Sequence, residues 1–492
     1  MIRTNKTSTA LIIILLVIAS IALAPAIAYK LPIVQTDGAT HYTYAKLYVE
    51  SGLDAKNPEY NKWGSGEEKV SDYPPFTTIV FGNILRFFGN DVFWINGGLG
   101  LIFIIIAAVS LYFFVKDVFN SSIALIALLF FALNLRIYYT LFVGIYPALI
   151  AACLSIPALY FSYKFFSSEK RQVLSFVMTF IITALVIFTY PVMGAYLIIL
   201  ELFLWLGIKA REKLQVNFPK IDIKVKRSSL RELKPLLIII PIALLFLLAL
   251  KSFTINESRV TWLSEFTGEM FKQCSGYPCV WKYFVIMDSP LIVLFAALGF
   301  LYLLYKNKWD IIFLLIGALA IVMLGSIVTT GIVYLIYRFY VLFSILLAIP
   351  AAVFIYKIIS MRELRKIGIL LLVIMLAMQA AILGYFYAHI QPSISQSEIS
   401  AAQILYQHKD SNILYLVKEK DPGSFKSFKW VLLYAKSEHY VTPIQLDSSI
   451  NLSMYDYVFV NDESKLTQQE KSMLSGLNKI FDEGNVQVFQ VK

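Results

Sequence analysis

Three features of the sequence predict an α-helical polytopic membrane protein with a small extracytoplasmic α/β domain at its C-terminal end. Of 492 residues, 58% are hydrophobic and only 15% are charged, whereas charged side chains alone make up roughly a quarter of a soluble globular chain. The apolar residues are gathered into long runs. The tail beyond the last run alternates period-2 stretches with helical ones, as a small layered α/β domain does. This division gives a membrane module over residues 1–388 and a tail domain over 389–492.

A helix of about 20 residues crosses a hydrocarbon core of about 30 Å. Runs of that kind fall near 8–29, 92–115, 121–141, 145–166, 172–190, 191–208, 235–253, 289–305, 311–330, 332–356 and 367–388, about eleven spans in all. With Arg3 and Lys6 in the cytoplasm, Lys116, Lys164, Lys170, Arg171, the loop 209–234, Lys306, Lys308, Lys357, Arg362, Arg365 and Lys366 fall on that same side, the preferred side for Lys and Arg. The expectation is a multi-pass protein of the cell membrane with a cytoplasmic N-terminus and an extracytoplasmic tail domain. The net charge of +11 is spread over these connections and forms no basic domain, so nucleic acid is not an expected partner. Membrane lipids are, and the basic loop 209–234 reads as held against anionic head groups.

The first run also fits a signal peptide, because it ends in Ala26-Ile27-Ala28. It exceeds the roughly 7–15 residues of a signal core and is read here as an uncleaved helix. The first outside loop, 30–90, includes the stretch Pro75–Phe88, too short to span and read as a helix at the membrane interface. Cys153 lies in an apolar run and reads as a packing residue. Cys274 and Cys279 bracket Ser275-Gly276-Tyr277-Pro278 in a loop expected outside, where a tight turn and an oxidising medium suit a disulfide. The four-residue spacing does not match a redox C-x-x-C pair. In the tail, Ser397 to His408, Phe428 to Ser437 and Thr467 to Phe481 read as helices. Asn412 to Val417, Val441 to Leu446, Tyr455 to Val460 and Val486 to Val491 read as strands. No Gly-rich phosphate turn is present, so the tail is not expected to bind a nucleotide.

Chemistry is concentrated after the first span, in Thr36-Asp37-Gly38-Ala39-Thr40-His41-Tyr42. A helix opening at Asp37 and running to about Glu50 places His41, Tyr44 or Ala45, and Tyr48 on the face of Asp37. A carboxylate with a His one turn away, at a membrane mouth, suits a general base that the His orients, or a base beside a substrate-binding His. The same Asp37-Gly38 pair suits a helix N-cap. About 35 residues on, after Trp63 and Gly64, comes Ser71-Asp72-Tyr73-Pro74-Pro75-Phe76.

This order of elements resembles the GT-C superfamily of membrane glycosyltransferases, which includes protein O-mannosyltransferases, lipid A aminoarabinose transferases and oligosaccharyltransferase catalytic subunits. The motif-level resemblance covers the first hundred residues, and the remainder is similar in architecture. The resemblance implies transfer of a sugar from a polyprenyl-phosphate carrier to a lipid, glycan or protein acceptor on the outer face, with Asp37 at the place of the essential carboxylate. Two departures stand out. Many relatives carry a second acid directly after the first, where this chain has Gly38. Those with the lipid A type of loop carry a Lys before Pro-Pro, where Asp72 and Tyr73 stand here. Asp72 is therefore a candidate second carboxylate, acting on sugar hydroxyls or on a metal, or else a polar residue before a turn.

A carrier phosphate beside hydrocarbon needs a cation. Arg338, in Ile336-Tyr337-Arg338-Phe339-Tyr340, lies about two turns into a span, a costly position for Arg that points to function, with snorkelling to the interface as the structural alternative. Arg136 is a second candidate, ahead of Arg259 and Lys251. The resulting expectation is a hexosyl or pentosyl transferase in which Asp37 activates the acceptor and His41, Asp72, Tyr73, Arg136 and Arg338 bind substrate. No cofactor is certain. A divalent Mg or Mn ion on Asp37 and Asp72 would share with Arg338 the stabilisation of the leaving phosphate. No W-W-D signature is visible, which favours a monosaccharide transferase over an oligosaccharyltransferase. The alternative is a transporter or flippase of lipid-linked glycans, which would show inverted repeats with paired broken helices. A membrane anchor presenting the tail as a binding module is a third reading, for which eleven spans are excessive.

The orientation is testable through sequons. In a glycosylating host, Asn256 and Asn451 should accept glycan, and Asn5 and Asn120 should not. Glycan on Asn120, read by mass spectrometry, would invert the topology.

Overall fold

The computed structural model describes residues 6–34, 36–54, 75–89, 91–168, 172–213, 289–327, 333–388, 390–407, 411–416, 430–431, 441–444 and 451–491. The run 235–253, Lys251, Arg259, Asp72, Tyr73 and the Cys274/Cys279 pair lie outside the described residues.

The chain begins with α1 (Lys6–Ala28), α2 (Thr36–Ser51) and α3 (Pro75–Phe88). A short turn, α4 (Asp91–Phe93), passes through a π-helical turn (Trp94–Gly98) into α5 (Leu99–Val118). Then come α6 (Ser121–Ala132), α7 (Leu135–Val143), α8 (Tyr146–Ser167), α9 (Val173–Thr189) and α10 (Pro191–Lys213). The later helices of the bundle are α11 (Pro290–Tyr305), α12 (Trp309–Ile327), α13 (Val333–Ser360) and α14 (Arg365–Ala388). Among the described residues 7 helices are long and apolar enough to cross a membrane, and Val173–Thr189, Leu291–Tyr305 and Trp309–Val322 are shorter apolar helices that coincide with expected spans. The chain is a multi-pass membrane protein. α13 lies at the centre of the bundle, whereas α1 and α14 expose rows of large apolar side chains such as Ile12, Leu16, Leu370 and Val373.

The span expected at 121–141 is broken. α6 stops at Ala132 and α7 restarts at Leu135, with the Asn134 side chain accepting from the Arg136 N–H (3.0 Å) and donating to Ser344 Oγ (2.7 Å). A helix can be interrupted at membrane depth only where neighbouring protein satisfies the freed backbone groups, and Asn134 both caps α7 and ties it to α13. At its other end α7 closes on Gly144 at φ 83°, with the Gly144 and Ile145 N–H groups bonded back to Leu141 and Thr140. Only glycine adopts that left-handed cap without steric cost.

Helices approach closely where a glycine removes a side chain. A Cβ at Gly97 in the π-turn would stand 2.3 Å from the Ala22 carbonyl of α1, and one at Gly299 in α11 would stand 1.9 Å from the Pro350 carbonyl of α13. Such close packing supplies cohesion in lipid, where burying apolar side chains gives little net drive. Polar ties add to it. Glu201 of α10 accepts from Ser162 of α8 (2.9 Å) and Thr183 of α9 (3.0 Å), and Arg211 pairs with the fully buried Asp310 of α12 at 2.7 Å. The basic residues Lys209, Arg211 and Lys213, expected in a loop, lie on the last turns of α10, where cations complement the helix dipole.

The tail holds α15 (Gln396–Tyr406), β1 (Ile413–Leu416), β2 (Val441–Ile444), β3 (Tyr457–Val460), α16 (Gln468–Leu474), β4 (Asn478–Glu483) and β5 (Val486–Gln490). The strands form one sheet in the order β2-β1-β3-β5-β4, parallel from β2 to β3 and antiparallel beyond. Period-2 alternation sends Ile413, Tyr415, Tyr457, Phe459, Val486 and Val488 into the core that is continuous with the membrane bundle, and Leu414, Leu416, Val458 and Val460 towards Leu474 of α16. The helix expected from Thr467 to Phe481 ends at Leu474, because Asn478–Glu483 pairs with β5 as an edge strand. Sheet pairing overrides the local helical pattern there.

Gly97→Ala should therefore separate α1 from the π-turn. The expected cost is about 1–3 kcal/mol, the usual range for overpacking, read as a lower Tm in detergent. An unchanged Tm would show that the two segments do not touch.

Candidate active site

Between α1 and α2 the chain runs through residues 29–34, in which Pro32, Ile33 and Val34 are buried. Four consecutive carbonyls here accept bonds from distant parts of the chain. Asn96 Nδ2 donates to Leu31 (2.8 Å), the Ser393 N–H to Pro32 (2.8 Å), Ser393 Oγ to Ile33 (3.1 Å) and Trp430 Nε1 to Val34 (3.1 Å). Asn96 also accepts from the Ile33 N–H at 2.9 Å, and Tyr29 donates to the Ile390 carbonyl at 2.8 Å. A buried carbonyl without a donor is costly. The strap is thus fixed by the π-turn and by two parts of the tail.

The strap delivers α2, whose second residue is Asp37. Gly38 follows for a packing reason. A Cβ there would stand 2.6 Å from Val34 Cγ2 and 3.4 Å from the Gly144 Cα, so a second acid directly after Asp37 has no room. One turn further on, His41 is buried with its ring edge-on to Tyr146 (5.9 Å). Tyr44 and Ala45 are fully buried, and Tyr48 packs where Gly82 of α3 leaves space. The expected helical face is therefore the packed face of α2.

Tyr42 is a contact that the i+4 reading missed. Its hydroxyl donates to Asp91 Oδ2 at 2.5 Å, and Lys46 pairs with the same oxygen at 2.6 Å. Its ring lies against Phe81 of α3 (6.2 Å) and Trp430 of the tail (6.0 Å). Phe81 also meets Tyr146 (5.8 Å), whose hydroxyl donates to the Ile95 carbonyl in the π-turn. α2, α3, α8, the π-turn and the tail meet in this aromatic cluster.

Both candidate arginines reach the same stretch of α13. The Arg338 guanidinium lies over the Tyr190 ring (5.3 Å) and donates to its hydroxyl at 2.7 Å. Arg136, 3% exposed at the start of α7, stacks over Tyr340, two residues beyond Arg338 (4.7 Å). A Tyr ring face stabilises a guanidinium, and the two arginines meet the same turn of α13. From Arg136 the α7 helix leads to Gly144, the residue against which Gly38 packs. Among the described residues no group of three or more His, Cys, Asp and Glu comes together. The Asp37 side chain, Asp72 and Tyr73 lie outside the described residues.

No family model matches the chain, and no curated protein does. Solved structures do. The archaeal oligosaccharyltransferase AglB from Archaeoglobus fulgidus, in complex with an inhibitory peptide and a dolichol-phosphate, aligns with TM-score 0.59 at 11% identity over 92% of this chain and 69% of its own. The Archaeoglobus fulgidus oligosaccharyltransferase in complex with Zn and sulfate aligns with TM-score 0.56 at 12% identity over 94% and 69%. ArnT from Cupriavidus metallidurans, in the apo state, aligns with TM-score 0.57 at 11% identity over 99% of this chain and 98% of its own. The chain has the GT-C fold.

Asn96→Leu keeps the volume and removes both bonds to the strap. Leaving the Leu31 carbonyl and Ile33 N–H unpaired should cost about 1–3 kcal/mol each. Amide exchange over 29–45 should accelerate while that of β3 and β5 stays as in the wild type. Unchanged exchange in the strap would refute its dependence on Asn96.

Proposed function

We propose that the protein transfers a sugar, as a single hexosyl or pentosyl unit, from a polyprenyl-phosphate carrier to an acceptor on the outer face of the cell membrane. The observation that carries this reading is the placement of α2: on a GT-C fold, the first turn bearing Asp37 is held where the chain leaves α1, over the α7–α8 junction. The dolichol-phosphate and peptide bound to AglB support a lipid-phosphate donor and make a peptide one of the acceptor classes to try.

In the proposed reaction the Asp37 carboxylate takes the proton of the acceptor hydroxyl or amide. The acceptor atom bonds to the anomeric carbon as the carbon–oxygen bond to phosphate breaks, and the polyprenyl phosphate leaves with the electron pair. His41, packed on Tyr146, orients the acceptor beside Asp37. The departing phosphate is already ionised and needs positive charge more than a proton, which Arg338 and Arg136 supply. Asp37 and Asp72 are the residues that would hold a divalent ion, which would withdraw charge from the leaving group. Tyr73 completes the set on the donor side. A transporter would share the broken span α6–α7, but α8, α10, α13 and α14 are each continuous, and paired broken helices are the transporter signature.

Asp37→Asn should abolish transfer by the folded protein while leaving donor affinity within about twofold of wild type. Arg338→Ala should weaken donor affinity by about tenfold or more, the loss of a charge-assisted bond. Turnover and affinity are measured separately in lipid nanodiscs with dolichyl-phosphate sugar and candidate acceptors. Near-wild-type turnover in Asp37→Asn would remove the carboxylate from the chemistry.

A further inference from the structure

Thr77 is the third residue of α3 and is 1% exposed. Its Oγ1 is shut off from solvent and has no hydrogen-bond partner among the described residues. A helical Thr ordinarily donates its hydroxyl to a carbonyl one turn back. Thr43, Thr140 and Thr189 of this chain do so, to Ala39 (3.0 Å), Arg136 (2.7 Å) and Leu185 (2.6 Å). Valine has nearly the same shape without the unmet hydroxyl, so a Thr here costs stability in the protein on its own.

Its position gives the hydroxyl a use. Thr77 and Phe81 lie one turn apart on the same face of α3, and Phe81 meets Tyr42 and Tyr146, on whose ring His41 packs. Thr77 therefore lies at the end of α3 that the Asp72-Tyr73 segment enters, beside the α2 cluster. Pro75 has no N–H, so the first turn of α3 offers the N–H groups of Phe76 and Thr77, with the positive end of the helix dipole, an environment suited to phosphate. A buried hydroxyl in want of a partner and a helix N-terminus both call for an anionic oxygen.

We infer that Thr77 Oγ1, with the first turn of α3, donates to a phosphate oxygen of the lipid carrier, an assignment that rests on the glycosyl-transfer reading. The Thr hydroxyl then pairs only when the carrier is bound, and its cost in the free protein is the cost of a prepared site.

The test compares wild type, Thr77→Val and Thr77→Ser, each as the full chain in nanodiscs, titrated with dolichyl phosphate and, separately, with phosphatidic acid. Thr77→Val should have a Tm equal to or above wild type without ligand, yet bind dolichyl phosphate about tenfold more weakly, and Thr77→Ser should stay close to wild type in affinity. A residue that merely supports the fold would move Tm down and leave affinity alone. Weakened binding of dolichyl phosphate only assigns the site to the carrier, and weakened binding of both lipids assigns it to phosphate in general; either supports the inference. A Thr77→Val protein that melts lower or fails to fold, or that binds dolichyl phosphate within twofold of wild type, overturns the inference alone. Wild-type protein that binds no dolichyl phosphate overturns the glycosyl-transfer reading and this assignment with it.

Discussion

A chain that has left one membrane helix and not yet entered the next exposes carbonyls that neither lipid nor apolar side chains can solvate. In residues 31–34 that need is met four times in succession, by Asn96, by Ser393 twice and by Trp430. The position of α2, and with it Asp37, follows from these bonds. Because the donors come from the π-turn and from the tail, the membrane bundle and the tail sheet have to share one core, and the continuous packing from Ile14 to Val488 is the result.

The second constraint is electrostatic. A guanidinium buried among apolar helices needs stabilising contacts, and tyrosine faces supply part of them. α13 is suited to hold them because it is the most enclosed of the spans among the described residues. Ser344, one turn beyond Tyr340, fixes the broken span whose second half carries Arg136. The break at Asn134 thus brings a cation to α13 and ends α7 at Gly144, under α2.

Local signals made much of this legible in the sequence. The polar stretch at Asp37 and the pattern to Glu50 announced α2, the apolar face of Pro75–Phe88 announced α3, and an arginine inside an apolar run announced Arg338. What the sequence hid was set by partners far along the chain. Asn134 looks like one polar residue in a span, and only its bonds to the Arg136 N–H and to Ser344 reveal it as a cap tied to α13. Tyr42 lies off the face drawn from Asp37, and its importance comes from Asp91 and Trp430. Gly38 reads as a loss of a second acid until Val34 and Gly144 show that no side chain fits. Residues 478–483 carry a helical pattern, and β5 makes them a strand. Asn96 does carry a local signal, a carboxamide in the apolar run Trp94-Ile95-Asn96-Gly97-Gly98.

The bond from Trp430 to Val34 joins residues 396 positions apart. A ribosome makes the strap and Asn96 early and the other partners late, so the nascent protein spends most of its synthesis with only the Asn96 bonds of the strap in reach. The four carbonyl bonds of the strap can be completed only after Trp430 has been made. Molecules stalled or truncated before residue 430 therefore carry an α2 whose entry is only partly held.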